Sequence, residues 1–436
     1  MARFAFTTLG CRLNQAESDS MAEELLGAGL SESGGEEPDV VVVNTCTVTR
    51  EATKASRSAI RRAVRDNPDA QVVVIGCYAV SNPDEVRAIE GVDVILDNTD
   101  KERFAEALKD SFPTAPLLQI GMNTTGAGRA TIAPSSSSRV RANLKVQTGC
   151  DEWCTFCIIP TTRGPLRSFD IDSLVAEARR KVEAGARELV LTGFHLGKFA
   201  YDRGGDERDL IELMSRLVAI EGVLRLRLSS IFPSHLTADV LAFMASEQRV
   251  CRYLHVPLQA GDDEVLSAMH RPYDIDEYVR CVTRAKDALE GLALATDIIV
   301  GFPGESDEAF DQTLAVVREL EFSKLHVFRY SPRPDTPAAE MDEQVPVEVK
   351  KDRSKRLIAL GNELRADFLR RHLEVPLEVL VEDRREVEGV TVCSGQTDDY
   401  VRVWFEAEAD LGSMVSVSGS RIRADGVEGR LLATVR

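Results

Sequence analysis

The strongest chemical signal in the 436-residue sequence is a loop that carries Cys150, Cys154 and Cys157 at intervals of four and three residues. Thiolates at this spacing can converge on one iron–sulfur cube, and three protein ligands leave one iron of that cube open. S-adenosylmethionine can chelate an open iron through its amino and carboxylate groups. An electron passed from the reduced cluster to the sulfonium would then release a 5′-deoxyadenosyl radical, so we predict that these cysteines are catalytic as well as metal ligands.

A structural zinc site is the alternative for this loop. Zinc is normally held by four ligands in a closed site, and the sequence places no fourth cysteine or histidine near the loop. The loop also follows a predicted strand in a series of βα units, where catalytic residues usually lie. The spacing therefore favours a cluster over zinc.

A second group of three cysteines, Cys11, Cys46 and Cys77, has no loop in common. Each follows a run of apolar and β-branched residues that predicts a strand. The carboxyl ends of parallel strands meet at one edge of an open sheet, where ligands bind. The spacing leaves two possibilities open, a second cluster with one open iron or three separate core residues. The remaining cysteines, which stand in no ligand-like spacing and are expected to be buried apolar residues, are Cys251, Cys281 and Cys393.

Alternating strands and helices predict an open α/β parallel sheet in an N-terminal domain at residues 1–115. Its predicted strands are Phe4–Leu9, Val40–Asn44, Gln71–Ile75 and Val92–Leu96. Its predicted helices are Gln15–Leu30, Arg50–Asp66 and Asn82–Glu90. A stretch rich in glycine, serine and threonine predicts a linker at residues 116–138.

Six further strands, each followed by a loop and a helical segment, predict a partial (βα)6 TIM-like barrel at residues 139–372. These strands are Leu144–Gln147, Glu188–Leu191, Arg225–Ser229, Tyr253–Val256, Ala293–Val300 and Lys324–Tyr330. After a helical stretch at Val347–His372, short alternating runs predict a small all-β barrel or sandwich at residues 373–436.

Composition limits the class of protein. No run of 18 or more apolar residues occurs, so we expect no membrane span. The N-terminus lacks the apolar stretch of a signal peptide, and nine cysteines is an odd number that fits a reducing compartment better than a disulfide framework. We therefore expect a cytoplasmic protein.

The formal net charge of −18 argues against loose affinity for nucleic acid, but it leaves room for a local basic surface. One candidate lies on the predicted helix at residues 50–66. Its cations recur at helical spacing and could contact RNA phosphates, although a solvated surface is the alternative. They are Lys54, Arg57, Arg61 and Arg65.

Motifs along nearly the whole chain resemble those of the radical S-adenosylmethionine methylthiotransferase family. In the N-terminal part they are Thr8-Leu9-Gly10-Cys11 with Asn14-Gln15, Asn44-Thr45-Cys46 and Gly76-Cys77-Tyr78. Around the radical loop they are Gln147-Thr148-Gly149-Cys150, Cys157-Ile158-Ile159-Pro160 and Arg163-Gly164. Further along they are Leu191-Thr192-Gly193, Leu228-Ser229-Ser230, His255-Val256-Pro257-Leu258-Gln259, Gly301-Phe302-Pro303-Gly304-Glu305 and Tyr330-Ser331-Pro332-Arg333.

The resemblance implies two [4Fe–4S] clusters, one on each group of three cysteines, and a C-terminal RNA-binding TRAM domain. It also implies two uses of S-adenosylmethionine. One molecule methylates sulfur held at the Cys11/Cys46/Cys77 cluster, and another is cleaved at the radical cluster to attack C2 of an adenine. A tRNA substrate and an electron donor such as flavodoxin or ferredoxin are further implications of the resemblance.

The segment that begins at Asn44-Thr45-Cys46 and continues through Thr47-Val48-Thr49 looks like the branch of the family that acts on N6-threonylcarbamoyladenosine at tRNA position 37, next to the anticodon. The alternatives within the family are isopentenyladenosine-37 and an aspartate of a ribosomal protein. A non-enzymatic iron–sulfur electron carrier is the alternative outside it, and it would need two fully ligated clusters. The oligomeric state does not follow from the sequence.

Several residues at strand ends are expected to contact S-adenosylmethionine. Backbone groups at Thr192 and Gly193 could bind its amino group, a hydroxyl of Ser229 or Ser230 could reach its ribose, and the adenine could lie against a glycine turn. The alternative for each position is a tight turn or a cap. The remaining predicted contacts are Phe156, which precedes the last cysteine as in the radical signature, and Gly301 and Gly304.

Overall fold

The computed structural model describes residues 2–112 and 140–434. The predicted linker at 116–138 lies outside these residues. The chain divides into two compact units, Met1–Ser138 with Ile158–Pro165, and Arg139–Cys157 with Leu166–Arg436. The short segment 158–165 directly follows Cys157 in sequence, yet it belongs to the first unit. The bounds of the three predicted domains stay predictions.

The first unit contains a parallel five-stranded sheet in the order β2-β1-β3-β4-β5. Its strands are β1 (Arg3–Thr8), β2 (Ser31–Glu32), β3 (Val40–Thr45), β4 (Gln71–Gly76) and β5 (Val94–Ile95). Its helices are α1 (Arg12–Gly27), α2 (Arg50–Asp66), α3 (Cys77–Ser81), α4 (Pro83–Arg87), α5 (Phe104–Ser111) and α6 (Ile159–Arg163). The predicted open parallel sheet is confirmed.

Strand β3 is buried at every position because both faces of the sheet are covered. Val40 and Val42 join one apolar cluster, and Val41 and Val43 join another on the opposite face. The helix predicted over Asn82–Glu90, with Asn82 as its cap and Pro83 in its first turn, is confirmed at its start by α4, which has Asn82 as N-cap and begins at Pro83. It ends at Arg87 and not at Glu90.

The second unit contains six parallel strands that pair as two three-stranded sheets, β10-β9-β6 and β11-β12-β13. Isolated bridges, including that of Ser230 with His255, link the third and fourth strands of the series. The strands are β6 (Arg141–Lys145), β9 (Glu188–Thr192), β10 (Arg225–Leu228), β11 (Tyr253–His255), β12 (Ala293–Val300) and β13 (Lys324–Arg329), with an added antiparallel pair of β7 (Gln147–Thr148) and β8 (Arg167–Ser168). The predicted six βα units are confirmed.

The helices of this unit alternate with its strands. They are α7 (Ile171–Glu183), α8 (Glu207–Val218), α9 (Ala238–Ser246), α10 (Asp263–Ala268), α11 (Ile275–Ala288), α12 (Asp307–Leu320) and α13 (Val347–Arg370). Beyond α13 the chain forms a closed five-stranded barrel in the order β14-β15-β16-β18-β17, so the structure selects a barrel over a sandwich. Its strands are β14 (Pro376–Val387), β15 (Val390–Gln396), β16 (Arg402–Glu406), β17 (Met414–Arg423) and β18 (Gly426–Thr434).

A fully buried ion pair, Arg227 with Glu188, joins the βα strands to this small barrel. The Arg227 Nε lies 2.7 Å from Glu188 Oε1. Its two terminal nitrogens donate to the carbonyls of Asp398 at 2.7 Å and Thr397 at 3.2 Å, both in the turn before β16. The guanidinium also packs over the ring of Tyr400 at 4.4 Å. Every donor group of this cation is therefore engaged across the two substructures.

Glu188→Gln should leave the Arg227 charge buried without its carboxylate. We expect the free energy of unfolding of the second unit to fall by about 3 kcal/mol. Both tryptophans, Trp153 and Trp404, lie in this unit, so urea denaturation followed by their fluorescence reports on it. The control is Glu348→Gln, which breaks the exposed pair with Lys351 and should change the value by less than about 0.5 kcal/mol. Equal effects of the two substitutions would contradict the prediction.

The pair of His372 and Asp399 makes stability depend on pH. Burial lowers the pKa of His372, but the hydrogen bond from its Nε2 to Asp399 Oδ2 at 2.5 Å outweighs burial and raises this pKa above the ordinary value of 6.5. The pair therefore stabilises the fold fully below pH 6.5, and this stabilisation is lost as pH rises through the folded-state pKa. The advantage of the wild type over His372→Gln should shrink between pH 6 and pH 9 in the same urea assay, and an advantage independent of pH would contradict this assignment.

Candidate functional site

The first unit brings Cys11, Cys46 and Cys77 to the carboxyl edge of its parallel sheet. They follow β1, β3 and β4, and the last two are buried while Cys11 is half-buried. Burial is the main reason that the pKa of Cys46 rises to about 11, and the charges of Cys11 and Cys77 add to it. The three thiols are thus close enough to act on one another electrostatically.

Two glycines let the chain approach closely at this edge. Gly10 has φ +94°, and a Cβ there would lie 2.5 Å from the Cys46 sulfur. Gly76 has φ +106°, and a Cβ there would collide with the backbone of Thr45. Both positions therefore require glycine for its backbone freedom and for its lack of a side chain.

Amide and hydroxyl side chains fix the loops that carry the cysteines. Asn14 Nδ2 donates to the carbonyls of Leu9 at 2.8 Å and Thr45 at 2.9 Å. Ser56 Oγ accepts from the Cys46 amide at 3.0 Å and donates to the Cys46 carbonyl at 2.7 Å. These contacts explain why Asn14 stands three residues after Cys11 and why a serine stands on the first turns of α2.

Arg163 contacts one of these cysteines from the end of α6. Its Nε lies 3.3 Å from the Cys77 sulfur, and its Nη1 lies 2.6 Å from Glu17 Oε1. Lys101 Nζ binds the other oxygen of Glu17 at 2.6 Å. In the sequence, Arg163 is part of the Arg163-Gly164 motif six residues after Cys157, and this position alone predicts no role for it.

In the second unit the loop with Cys150, Cys154 and Cys157 follows β7. The Cys157 amide donates to the Cys154 carbonyl at 2.9 Å, and the Thr155 amide donates to the Met269 carbonyl at 3.1 Å. Phe156 packs edge-on against Phe302, with ring centroids 6.4 Å apart. The predicted aromatic next to the last cysteine therefore lies against the apolar core and helps to hold the loop.

Charged side chains fasten the same loop. Lys198 Nζ lies 2.5 Å from Glu152 Oε1, and His195 Nε2 lies 3.3 Å from the same oxygen. The hydrogen bond with His195, together with Lys198, lowers the pKa of Glu152 to about 2. Burial lowers the pKa of His195. Glu152 is thus held as a carboxylate two residues from both Cys150 and Cys154.

Arg271, which no sequence motif indicated, contacts the cysteine loop of Cys150, Cys154 and Cys157. Its Nη1 lies 3.2 Å from the Cys154 sulfur, and its guanidinium packs over Phe232 at 4.1 Å and Tyr273 at 4.9 Å. Its Nη2 is buried without a hydrogen-bond partner. An arginine donor therefore lies against one thiol in each of the two groups.

The thiols of both groups suit metal ligation better than reaction as free nucleophiles. Burial raises the pKa of Cys150 to about 11, so the thiol stays protonated near neutral pH unless a metal displaces the proton. Sulfurs around a tetrahedral zinc ion would lie about 3.8 Å apart. In the described ranges, the one group of three possible ligands with all ligand atoms within 4.8 Å of one another is His255, Asp297 and His326. Neither group of three cysteines meets this limit, so the sulfurs of each group are spaced more widely than a tetrahedral zinc ion requires.

Buried polar atoms in the second unit provide further ligand groups. Gln147 Nε2, Ser229 Oγ and Gln259 Oε1 are buried without hydrogen-bond partners, as is the Nη2 of Arg271. Such atoms are costly unless a bound molecule or water satisfies them. They fit a polar cofactor with amino, carboxylate and hydroxyl groups.

The other residues predicted to contact S-adenosylmethionine differ in their surroundings. Thr192 is buried, and its hydroxyl donates to the Val190 carbonyl at 3.1 Å. Gly193 packs against Gln147, and Ser230 bridges to His255. The two glycines of the later turn, Gly301 and Gly304, both have positive φ; a Cβ on the first would meet the Lys350 side chain, and one on the second would lie 3.2 Å from Glu343 Oε2. Their contact with the adenine stays a prediction.

The predicted basic face lies on the surface of α2. Lys54, Arg61 and Arg65 are exposed. Arg57 is half-buried, and it pairs with Glu85 and donates to the Tyr78 hydroxyl at 3.2 Å. Lys54, Arg61 and Arg65 are therefore better placed than Arg57 to meet a phosphate.

Known proteins are similar in sequence to the two cysteine-bearing regions and to nearly the whole chain. Residues 3–97 match the uncharacterized protein family UPF0004, and residues 144–317 match the radical SAM superfamily. The threonylcarbamoyladenosine tRNA methylthiotransferase MtaB of Bacillus subtilis (strain 168) is 39% identical over 424 residues, which are 96% of this chain and 93% of that protein. The chain belongs to the radical S-adenosylmethionine methylthiotransferase family. The resemblance seen in the motifs is thereby confirmed.

Other methylthiotransferase relatives act on a different nucleoside. The tRNA-2-methylthio-N(6)-dimethylallyladenosine synthase of Acetivibrio thermocellus is 32% identical over 438 residues, which are 98% of this chain and 91% of that protein. Among solved structures, the radical S-adenosylmethionine methyltransferase TsrM of Kitasatospora setae aligns with a TM-score of 0.58 at 16% identity, over 78% of this chain and 75% of that chain. This second likeness shows the fold alone.

The protein is therefore a radical S-adenosylmethionine methylthiotransferase, an enzyme that uses a [4Fe–4S] cluster and S-adenosylmethionine. The residues present fit both cofactors, because three thiols and buried polar atoms without partners lie in one unit. Among its described residues, no helix is long and apolar enough to cross a membrane.

Gly76→Ala should disturb the edge of the first sheet. The substitution adds about 1–3 kcal/mol of backbone strain and about 1–3 kcal/mol of overpacking against Thr45, so we expect the free energy of unfolding to fall by about 4 kcal/mol in total. The matched control is Gly35→Ala, where φ is +99° but nothing lies within 4 Å of the new Cβ. Calorimetry should show the larger loss at residue 76, and losses of the same size at both positions would contradict the steric argument.

Proposed function

We propose that this methylthiotransferase converts N6-threonylcarbamoyladenosine at tRNA position 37 to its 2-methylthio derivative. The observation that carries the proposal is the presence of three cysteines in each of two units, at three strand ends in the first and on one loop in the second, combined with 39% identity to a threonylcarbamoyladenosine tRNA methylthiotransferase. Two incomplete ligand sets suit an enzyme that must handle a radical and a sulfur atom separately.

Two [4Fe–4S] clusters are proposed, one held by Cys11, Cys46 and Cys77 and the other by Cys150, Cys154 and Cys157. When bound, the clusters and S-adenosylmethionine supply the methylthio group and the carbon-centred radical that the reaction needs. An electron carrier such as flavodoxin or ferredoxin would provide the electron, and a cytoplasmic location would give access to both the carrier and tRNA.

The side chains of the second unit would bind and orient the cofactor and exclude water. The ion pair of Glu152 with Lys198 holds the cysteine loop, since it anchors the residues between Cys150 and Cys154. Arg271 Nη2 and Ser229 Oγ offer a charged donor and a hydroxyl from buried positions. Phe156 would help to hold the loop next to Cys157 through its contact with Phe302.

The tRNA would be held in part by the basic face of α2, because a chain of net charge −18 must concentrate its cations to bind a polyanion. Lys54, Arg61 and Arg65 are the proposed phosphate contacts, with Arg57 as a further candidate. Substitution of these cations should weaken tRNA binding and reduce its dependence on salt.

The alternative substrate is the dimethylallyl (isopentenyl) adenosine at the same tRNA position. Relatives that bear that name are 32–34% identical to this chain. The higher identity of the threonylcarbamoyladenosine relative favours the first substrate.

Mass spectrometry of tRNA nucleosides tests the substrate. In cells that lack their own methylthiotransferases, the wild-type chain should produce 2-methylthio-N6-threonylcarbamoyladenosine. Cys154→Ala and Cys46→Ala should each abolish it, while Cys281→Ala, a buried cysteine outside both groups, should retain it. The isopentenyl product would change the substrate but keep the chemistry. If cluster-loaded protein produces no methylthio nucleoside, the tRNA proposal fails and a ribosomal-protein aspartate becomes the leading target.

Iron analysis tests the number of clusters. Anaerobically reconstituted wild-type protein should hold about eight iron atoms per chain, and a triple alanine variant of either cysteine group should hold about four. Cys281→Ala should match the wild type. A triple variant that loses all iron, or none, would contradict two independent clusters.

A further inference from the structure

We propose that Arg163 is a positioning residue that raises the reduction potential of the cluster at Cys11, Cys46 and Cys77, through its contact with Cys77. Glu17 and Lys101 hold it in place. The inference rests on the proposed function, since it assumes that these cysteines bind a cluster.

The contact geometry is specific to a guanidinium. Arg163 places Nε 3.3 Å from the Cys77 sulfur while Nη1 lies 2.6 Å from Glu17 Oε1, and Nη2 lies 2.5 Å from Asn14 Oδ1. One planar group thus reaches a sulfur, a carboxylate and an amide oxygen at once. Asn14 also binds the carbonyls of Leu9 and Thr45, so it links the arginine to the loops before Cys11 and Cys46.

The burial and charge of Arg163 and its two charged neighbours indicate the role of this arginine. The side chains of Arg163, Glu17 and Lys101 are only 1%, 2% and 0% exposed. Arg163 and Lys101 both bind the carboxylate of Glu17, so the Arg163 guanidinium is held in place beside the Cys77 sulfur and away from water. Thiolate ligands, together with the cluster that they bind, would be the anion that faces this buried cation.

The position of Arg163 along the chain adds a second constraint. It ends α6, which starts two residues after Cys157, and the segment 158–165 belongs to the first unit. The Asn98 amide group fixes this segment further by donating to the Thr162 carbonyl at 2.8 Å. The stretch that leaves the radical loop therefore supplies a contact to the other group of cysteines.

A hydrogen bond and a positive charge at a ligand sulfur stabilise the reduced, more negative state of a cluster, which raises its reduction potential. Arg163→Lys keeps the charge but cannot span the sulfur, carboxylate and amide together. Arg163→Met removes the charge and the hydrogen bond at the sulfur, and it leaves Glu17 paired with Lys101. The expected order of potentials is wild type, then Arg163→Lys, then Arg163→Met.

The experiment uses the full chain in a Cys150→Ala/Cys154→Ala/Cys157→Ala background, so that every signal comes from the first unit. Iron and sulfide content and a redox titration followed by electron paramagnetic resonance are measured for each variant. Arg163→Met should shift the reduction equilibrium about tenfold toward the oxidised state, which is about 59 mV for one electron. Arg163→Lys should fall between the two. Arg87→Lys, an exposed arginine of the same unit that pairs with Asp84, is the control and should not shift.

Two results would overturn different parts of the argument. Equal midpoint potentials in all variants, with a normal iron content, would remove the role of Arg163 and leave the cluster in place. A background protein that folds but binds no iron with Arg163 intact would remove the second cluster itself, and with it this inference. Thermal unfolding of each variant separates loss of the contact from loss of the fold, and Arg163→Lys, which preserves the charge, keeps the test valid if Arg163→Met is unstable.

Discussion

The structure depends on one constraint, which is that parallel strands end at a common edge. In the first unit this constraint brings cysteines 35 and 31 residues apart in sequence, Cys11 to Cys46 and Cys46 to Cys77, to one place. Each strand is anchored by apolar side chains on both faces, so the residues that follow it can be polar or reactive without loss of the core. The buried valines of β3 and β4 thus provide a rigid base for loops that could not hold their positions alone.

Close packing at that edge leaves little freedom. Gly10 and Gly76 permit an approach that any side chain would block, and Asn14 occupies the space between two loop carbonyls. Burial disfavours the free thiolate of Cys46, as the raised pKa of this residue indicates. A site of this kind favours ligands that are deprotonated by a metal over ligands that react in solution.

Buried charge has a different role in each unit. In the second unit Arg227 and Glu188 neutralise one another. The terminal nitrogens of the arginine donate to carbonyls of the small barrel, and these hydrogen bonds join the barrel to the βα strands. Arg271 packs against aromatic rings and donates to the Tyr273 hydroxyl and to the Cys154 thiol. Arg163 shares its carboxylate with Lys101. The first pair is a complete structural contact, whereas the other two arginines direct positive charge at sulfur.

The sequence by itself determined the fold class and the two groups of cysteines. Strand periodicity placed Ala293–Val300 and helical periodicity placed Arg50–Asp66 at their observed bounds, because a long apolar or amphipathic segment carries its own signal. The close spacing of Cys150, Cys154 and Cys157 likewise indicates that they lie on one loop. The motifs of the sequence also indicated the family, which relatives over nearly the full length confirm.

Only the tertiary structure decided which residues, distant in sequence, contact those cysteines or fix their loops. Arg163 and Glu17 are 146 residues apart in sequence, and no local pattern encodes their contact. No local pattern predicts three further features. They are the place of segment 158–165 in the first unit, the short strand Ser31–Glu32 and the arginine that contacts Cys154. The physical reason is that periodicity and turn residues report interactions within a few residues, whereas a buried ion pair is fixed by the packing of the whole domain.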